Sequence, residues 1–127
     1  MEMKNKILGL RTVAYLVDDL NAAKDWYSKA FGVSPYFDES FYVGFNIGGY
    51  ELGLMPDQKS ASEKSGGVYA YWGVEKIEDA FSRFLDLGAE AHENPQNVGG
   101  ELMVASVKDP WGNIVGLIYN PYFKIED

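Results

Sequence analysis

The chain has 127 residues and a formal net charge of −8, with 46% hydrophobic and 24% charged residues. That balance belongs to a folded domain, and the acidic total disfavours a nucleic-acid partner held by a basic patch. With no cysteine and a single histidine, His92, the chain excludes disulfides, thiolate catalysis, Cys-based metal centres and any site drawing two His ligands from one copy.

Met1–Leu10 lacks a secretory apolar region, and no stretch approaches the roughly 18 apolar residues of a membrane span, so a cytoplasmic protein without a membrane partner is expected. Leu10–Val17 reads as a strand rich in β-formers. Asp18-Asp19-Leu20 opens a helix with Asp19 as its N-cap. Leu20, Ala23, Tyr27, Ala30 and Phe31 recur at helical spacing, and Gly32 supplies the stop. Three short strands follow at about 34–39, 41–48 and 50–56. Asp57 to Gly67 lacks apolar periodicity and reads as a linker, about 57–66.

The second half repeats this order. Val68–Val74 is a strand, and Ile77, Ala80, Phe81, Phe84 and Leu87 form one face of a helix that ends at Gly88. Strands follow at about 89–94, 100–108 and 112–120, the last after the Asp109-Pro110-Trp111-Gly112-Asn113 turn. An offset of 57 positions superposes Val17 on Val74, Leu20 on Ile77, Ala23 on Ala80 and Tyr27 on Phe84. The chain is therefore read as one α+β domain, 1–127, of two tandem βαβββ modules at about 7–56 and 67–121.

Strand alternation divides the side chains between two faces. Thr12, Ala14 and Leu16 share a face of the first strand, as do Glu51, Gly53 and Met55, Tyr69 and Tyr71, and Ile114, Gly116 and Ile118 on theirs. The opposite parity, including Val13, Tyr15, Val17, Ala70, Trp72 and Val74, is expected beneath the helices. Tyr15, Trp26, Tyr27 and Trp72 are expected in the core, and Trp111 is expected to do structural duty in its turn, with partial exposure at a cleft rim. His92, after the second helix, is expected as a surface residue. No acid–base pair is assigned, and Glu51 with Tyr69 is the one pairing worth testing. Val98-Gly99-Gly100 precedes a strand rather than a helix N-terminus, so it is not a phosphate loop.

The repeated modules resemble the vicinal oxygen chelate superfamily of glyoxalase I, extradiol dioxygenases, fosfomycin-resistance and bleomycin-resistance proteins. The residues that carry the resemblance are Val17-Asp18-Asp19-Leu20, Trp26-Tyr27, Phe31-Gly32-Val33 and Asp109-Pro110-Trp111-Gly112-Asn113, between about Ile7 and Pro121. It implies curved, half-barrel mixed sheets around a ligand cleft, while the fold alone leaves the chemistry open. Metal-dependent members of such a family would take donors from positions that fall here on Thr12, Gly53, Tyr69 and Gly116. Glycine has no donor atom, a threonine hydroxyl is a poor ligand, and one phenolate does not complete a divalent site. The resemblance is thus to the metal-independent, bleomycin-resistance-like branch, which implies no cofactor and a homodimer.

The expected ligand-binding residues are Thr12, Glu51, Gly53, Met55, Tyr69, Tyr71, Gly116 and Ile118. The glycines leave room, the tyrosines offer flat faces, and Glu51 offers a charge for a cationic group. Tyr69 and Tyr71 are equally readable as packing residues, and the glycines as relief for a curved sheet. The reading favours a protein that binds or sequesters a small aromatic or cationic molecule. A glyoxalase-like lyase or isomerase with a non-standard or absent metal site, and a ligand-sensing interaction module, are the alternatives.

Overall fold

A computed structural model describes residues 10–56 and 68–123. The predicted linker lies outside the described residues. The element order is β1 (Thr12–Val17), α1 (Leu20–Phe31), β2 (Phe37–Glu39), β3 (Tyr42–Ile47), β4 (Tyr50–Pro56), β5 (Ala70–Gly73), α2 (Ile77–Asp86), β6 (Glu90–Gly99), β7 (Leu102–Lys108) and β8 (Ile114–Tyr119). The βαβββ order therefore occurs twice, as the sequence repeat requires. Neither helix is long and apolar enough to cross a membrane among the described residues.

Each module builds its own four-stranded mixed sheet, ordered β1-β4-β3-β2 and β5-β8-β7-β6. The first strand of each module runs parallel to the last, and the remaining pairs are antiparallel. The register is equivalent in both. Ala14 lies opposite Gly53 and Gly53 opposite Gly44 in the first sheet, while Tyr71 lies opposite Gly116 and Gly116 opposite Ser106 in the second.

Helix α1 starts where Asp19 accepts a hydrogen bond from the Ala22 N–H at 3.0 Å, and it ends at Gly32 with φ of 71°, a left-handed turn that glycine adopts without steric cost. Lys76, at the start of α2, makes no side-chain cap, and Glu78 and Asp79 in the first turn face the positive helix end instead. The predicted strand at 34–39 shortens to Phe37–Glu39. That predicted at 89–94 lengthens to Glu90–Gly99, running through Pro95, which an edge strand tolerates because it has a side with no ladder to complete.

One core joins the modules. Val17, Tyr27, Phe45, Leu52 and Leu54 from the first pack with Phe81, Phe84, Val107, Val115 and Leu117 from the second, all nearly excluded from water. The expected core aromatics take their places: Tyr15 and Tyr27 are buried, and Trp26 and Trp72 are packed against them. Trp111, half-buried, packs against this core 6.2 Å from the Trp26 ring and edge-on to it, the structural duty expected of it.

Polar bonds cross the seam. The Tyr27 hydroxyl donates to buried Asp109 at 2.6 Å, the Trp72 indole donates to the Tyr15 hydroxyl at 3.0 Å, and Asn113 donates to the Leu16 carbonyl at 2.9 Å. Asp109 also accepts from the backbone N–H of Trp111 and Asn113, at 2.9 and 2.8 Å, so the late turn is tied to the first helix. Burial and the nearby Asp109 charge push the Tyr27 hydroxyl well above its ordinary pKa, which keeps it a donor.

Candidate functional site

The face of each sheet turned away from its helix carries the polar chemistry, and we call it the open face. On the first module β1 presents Thr12, opposite Glu51 on β4, and the Thr12 hydroxyl donates to the Glu51 carboxylate at 2.8 Å. The hydroxyls of Tyr36 and Tyr42 donate to the same carboxylate. Three hydroxyl donors hold the Glu51 carboxyl below its ordinary value, the Tyr36 bond contributing most and partial burial opposing it. The same bond raises Tyr36, and burial followed by the Glu51 bond pushes Tyr42 up to about 12. At neutral pH the cluster is one carboxylate and two neutral phenols.

Gly53 does not leave ligand room. A Cβ there would collide with the Tyr42 phenol, which lies across the glycine and reaches Glu51 from it. Gly44 does the same for Tyr36, since a Cβ would stand 2.8 Å from a Glu51 carboxylate oxygen and 3.1 Å from the Tyr36 ring. Around the cluster Tyr36, Phe37, Phe41 and Met55 are exposed, Tyr36 at 65%. Large apolar side chains gathered in one exposed place mark a surface that something covers.

On the second module Gly116 is also a seat, occupied by Tyr71. A Cβ would meet the Tyr71 ring at 2.7 Å and the Ala70 carbonyl at 2.6 Å. The Tyr69 ring lies 6.1 Å from Tyr71 and 5.7 Å from His92. Burial, then Glu93 and Tyr69, raise the Tyr71 hydroxyl, so it stays neutral. Ile118 is half-buried beside Gly73 in the register.

The eight expected site residues thus fall into two groups, Thr12, Glu51, Gly53 and Met55 on one sheet and Tyr69, Tyr71, Gly116 and Ile118 on the other. No hydrogen bond or ring contact links the groups among the described residues. Glu51 and Tyr69 do not pair within the chain: Glu51 is engaged by Thr12, Tyr36 and Tyr42, and Tyr69 by Tyr71 and His92.

His92 is not a free surface residue. It is half-buried, with Nδ1 2.9 Å from the Ser106 hydroxyl, which in turn donates to Glu93 at 3.0 Å. A β-bulge brings this about. Ala91 pairs with Val107 and Glu93 with Ser106, so His92 is the extra residue and two consecutive side chains meet one serine.

Sequence reasoning missed Tyr36, Tyr42, His92, Glu93 and Ser106. The readable signal for Ser106 was its polar side chain in the apolar run Met103–Val107, and for Tyr42 its parity with Gly44. No pattern announced the bulge.

The four positions at which metal-dependent relatives would place ligands do not offer a metal's donor set in one chain. Gly53 and Gly116 seat tyrosines, the Thr12 hydroxyl serves Glu51, and Tyr69 packs on rings. Among the described residues no three His, Asp or Glu side chains stand together as a metal site would need. An open depression of about 590 Å³ at the start of α1 is lined by Asp18, Asp19, Leu20, Asn21 and Ser40 and shares no residue with either open face.

The sequence profile of the Glyoxalase/Bleomycin resistance protein/Dioxygenase superfamily matches residues 9–117. No curated protein sequence matches the chain significantly. Among solved structures, a glyoxalase-related enzyme from Fulvimarina pelagi superposes with a TM-score of 0.77 at 17% identity, covering 94% of both chains. The fosfomycin resistance protein FosX from Listeria monocytogenes, complexed with Mn(II) and sulfate, gives a TM-score of 0.76 at 18% identity over 92% of this chain and 94% of its own. A glyoxalase/bleomycin resistance protein from Albidiferax ferrireducens gives 0.69 at 19% identity over 88% of this chain and 98% of its own. At such identities the likeness is one of fold.

Proposed function

Since the chain belongs to the glyoxalase/bleomycin resistance/dioxygenase superfamily, we propose that it is a small-molecule binding protein that takes an aromatic or cationic ligand without a metal ion. The observation that carries this reading is the Glu51 cluster: a carboxylate kept ionised by three hydroxyls and set among exposed aromatic rings. An ionised acid beside π-faces attracts a cation at both ends of its charge distribution, with each ring worth roughly 0.5–2 kcal/mol. The net charge of −8 draws such a ligand toward the protein.

In this reading the open faces are paired in a homodimer, the first module of one copy standing over the second module of the other. Exposed Tyr36, Phe37, Phe41, Met55 and Tyr71 would then line two equivalent clefts rather than face water. The displaced donors support binding over metal-assisted isomerisation, because such a reaction needs a Lewis acid that these four positions are not built to hold.

The test is native mass spectrometry of protein purified without chelator, joined to elemental analysis. A metal-free dimer carrying an organic adduct is expected. A stoichiometric metal overturns metal independence and returns the chain to the lyase and isomerase reading. A monomer overturns the shared cleft.

A further inference from the structure

The bulge in β6 sets up a hydrogen-bond chain whose direction is fixed by proton counting. A glutamate carboxylate only accepts, and a serine hydroxyl has one proton to give. Ser106 gives it to Glu93 at 3.0 Å, so the 2.9 Å contact with His92 must be an Nδ1–H donating to the serine oxygen. The neutral imidazole then carries its proton on Nδ1 and has a bare lone pair on Nε2. Nε2 makes no hydrogen bond among the described residues. Ser106 is fully buried, so water does not compete for its hydroxyl.

We propose that His92 Nε2 is the proton acceptor of a second ligand contact, for a weakly acidic aromatic hydroxyl compound, a phenol, lying against Tyr69. Tyr69 supplies an aromatic wall 5.7 Å from the imidazole, and Tyr71 stands 6.1 Å beyond it. When the phenol gives up its proton, its O–H bond breaks, an N–H bond forms at Nε2, and the electron pair stays on the phenolic oxygen. Nothing is oxidised or reduced. The imidazolium so formed keeps its Nδ1–H on Ser106, whose own O–H stays on Glu93. Ser106 and Glu93 are positioning residues, which choose the tautomer and orient the ring without touching the ligand. Tyr71 does not compete as a base, because it stays a neutral phenol. The proposal rests on the open face of the second module being a ligand face, and it goes beyond that reading by naming the acceptor atom and the ligand class.

With one histidine in the chain, the imidazole nitrogens can be read without assignment in the full-length, tag-free protein. The experiment is ¹⁵N NMR of histidine-labelled protein, read above the imidazole titration for the tautomer and then titrated with 4-nitrophenol near neutral pH, where a share of the free phenol still carries its proton and its absorption reports its ionisation. The proton is expected on Nδ1. Ser106→Ala is expected to move it to Nε2, and Ser106→Thr, which keeps the hydroxyl, to hold it on Nδ1. If Ser106→Ala does not fold, Glu93→Gln reads the same chain, since its amide can donate to the serine and reverse the direction.

4-Nitrophenol is expected to shift the Nε2 resonance saturably and to move its own absorption toward the phenolate. Its affinity should fall roughly tenfold in His92→Phe, the loss of one charge-assisted hydrogen bond. A wild-type proton on Nε2 overturns the relay. Binding of 4-nitrophenol, seen by protein fluorescence, with an unmoved Nε2 resonance overturns the acceptor assignment and leaves the binding-protein reading intact. Absence of 4-nitrophenol binding overturns the phenol assignment, whereas the broader reading stands or falls on the adduct and metal analysis above.

Discussion

The two modules repeat a backbone and not a site. Across the middle of the first sheet the open-face row is Ala14, Gly53, Gly44; across the second it is Tyr71, Gly116, Ser106. Both rows hold a glycine in the last strand, and both glycines seat a tyrosine. The tyrosine comes from a different strand each time, Tyr42 from β3 over Gly53 and Tyr71 from β5 over Gly116. In the first module that leaves a carboxylate gathering three hydroxyls, while in the second a bulge gathers a histidine and a glutamate on one serine. A duplicated fold preserves the space between strands more strictly than the chemistry that fills it, because packing constrains every core residue and an open face constrains few.

What the modules share is the seam, and breaking it has the largest expected effect. Asp109 is buried and accepts from Tyr27, from the Asn113 side chain and from two backbone N–H groups. Asp109→Ala removes the acceptor these four donors share and should cost at least about 3 kcal/mol. Urea unfolding should show both modules failing in one transition. Two separated transitions would mean that the modules stand independently of the seam.

The glycine seats give the next effect and distinguish the modules. Gly116→Ala drives a methyl against the Ala70 carbonyl as well as the Tyr71 ring, and backbone cannot step aside, so a loss of about 2–3 kcal/mol is expected. The nearest atoms that Gly53→Ala meets all belong to the Tyr42 phenol, a side chain that can turn away. The substitution should cost about 1 kcal/mol, with Tyr42 swung away from Glu51. Equal losses in thermal unfolding would erase the asymmetry.

The helix starts differ more gently. Asp19→Ala removes a side-chain cap and should cost about 1 kcal/mol, whereas Lys76→Ala removes none and should stay within about 0.5 kcal/mol. Paired denaturant curves measure both.

The fold was legible because the repeat is written in the core. Val17 and Tyr27 occupy the same places as Val74 and Phe84, and periodicity reports such positions directly. The site was legible only in part. Alternation placed Thr12, Glu51 and Gly53 on one face, but a glycine in a strand looks the same whether a ligand or a tyrosine fills its space, and of the occupants Tyr42 sits on β3, two strands from Thr12, and Tyr36 just before β2 at the far edge. His92 and Glu93 were beyond reach, since alternation sends neighbouring residues to opposite faces and only the bulge reverses that. Trp111 has the structural duty expected of it, half-buried with its ring packed on Trp26 from the other module.

The smallest effect tests whether the first module's site is held by its phenols. The Tyr36 bond is the main reason that the Glu51 carboxyl titrates below 4.5. A group with a lowered folded pKa contributes stability above its unfolded pKa, and that contribution is lost as pH falls through the folded value. Tyr36→Phe should therefore raise the Glu51 pKa toward 4.5, so that the contribution present at neutral pH shrinks, by a small amount because Tyr36 is exposed, and the acid loss becomes smaller and is complete at a higher pH. Carboxylate ¹³C titration of the wild type and the variant measures the shift. If Glu51 titrates at the same pH in both, then Thr12 and Tyr42 hold the carboxylate between them, and Tyr36 is left to meet the ligand alone.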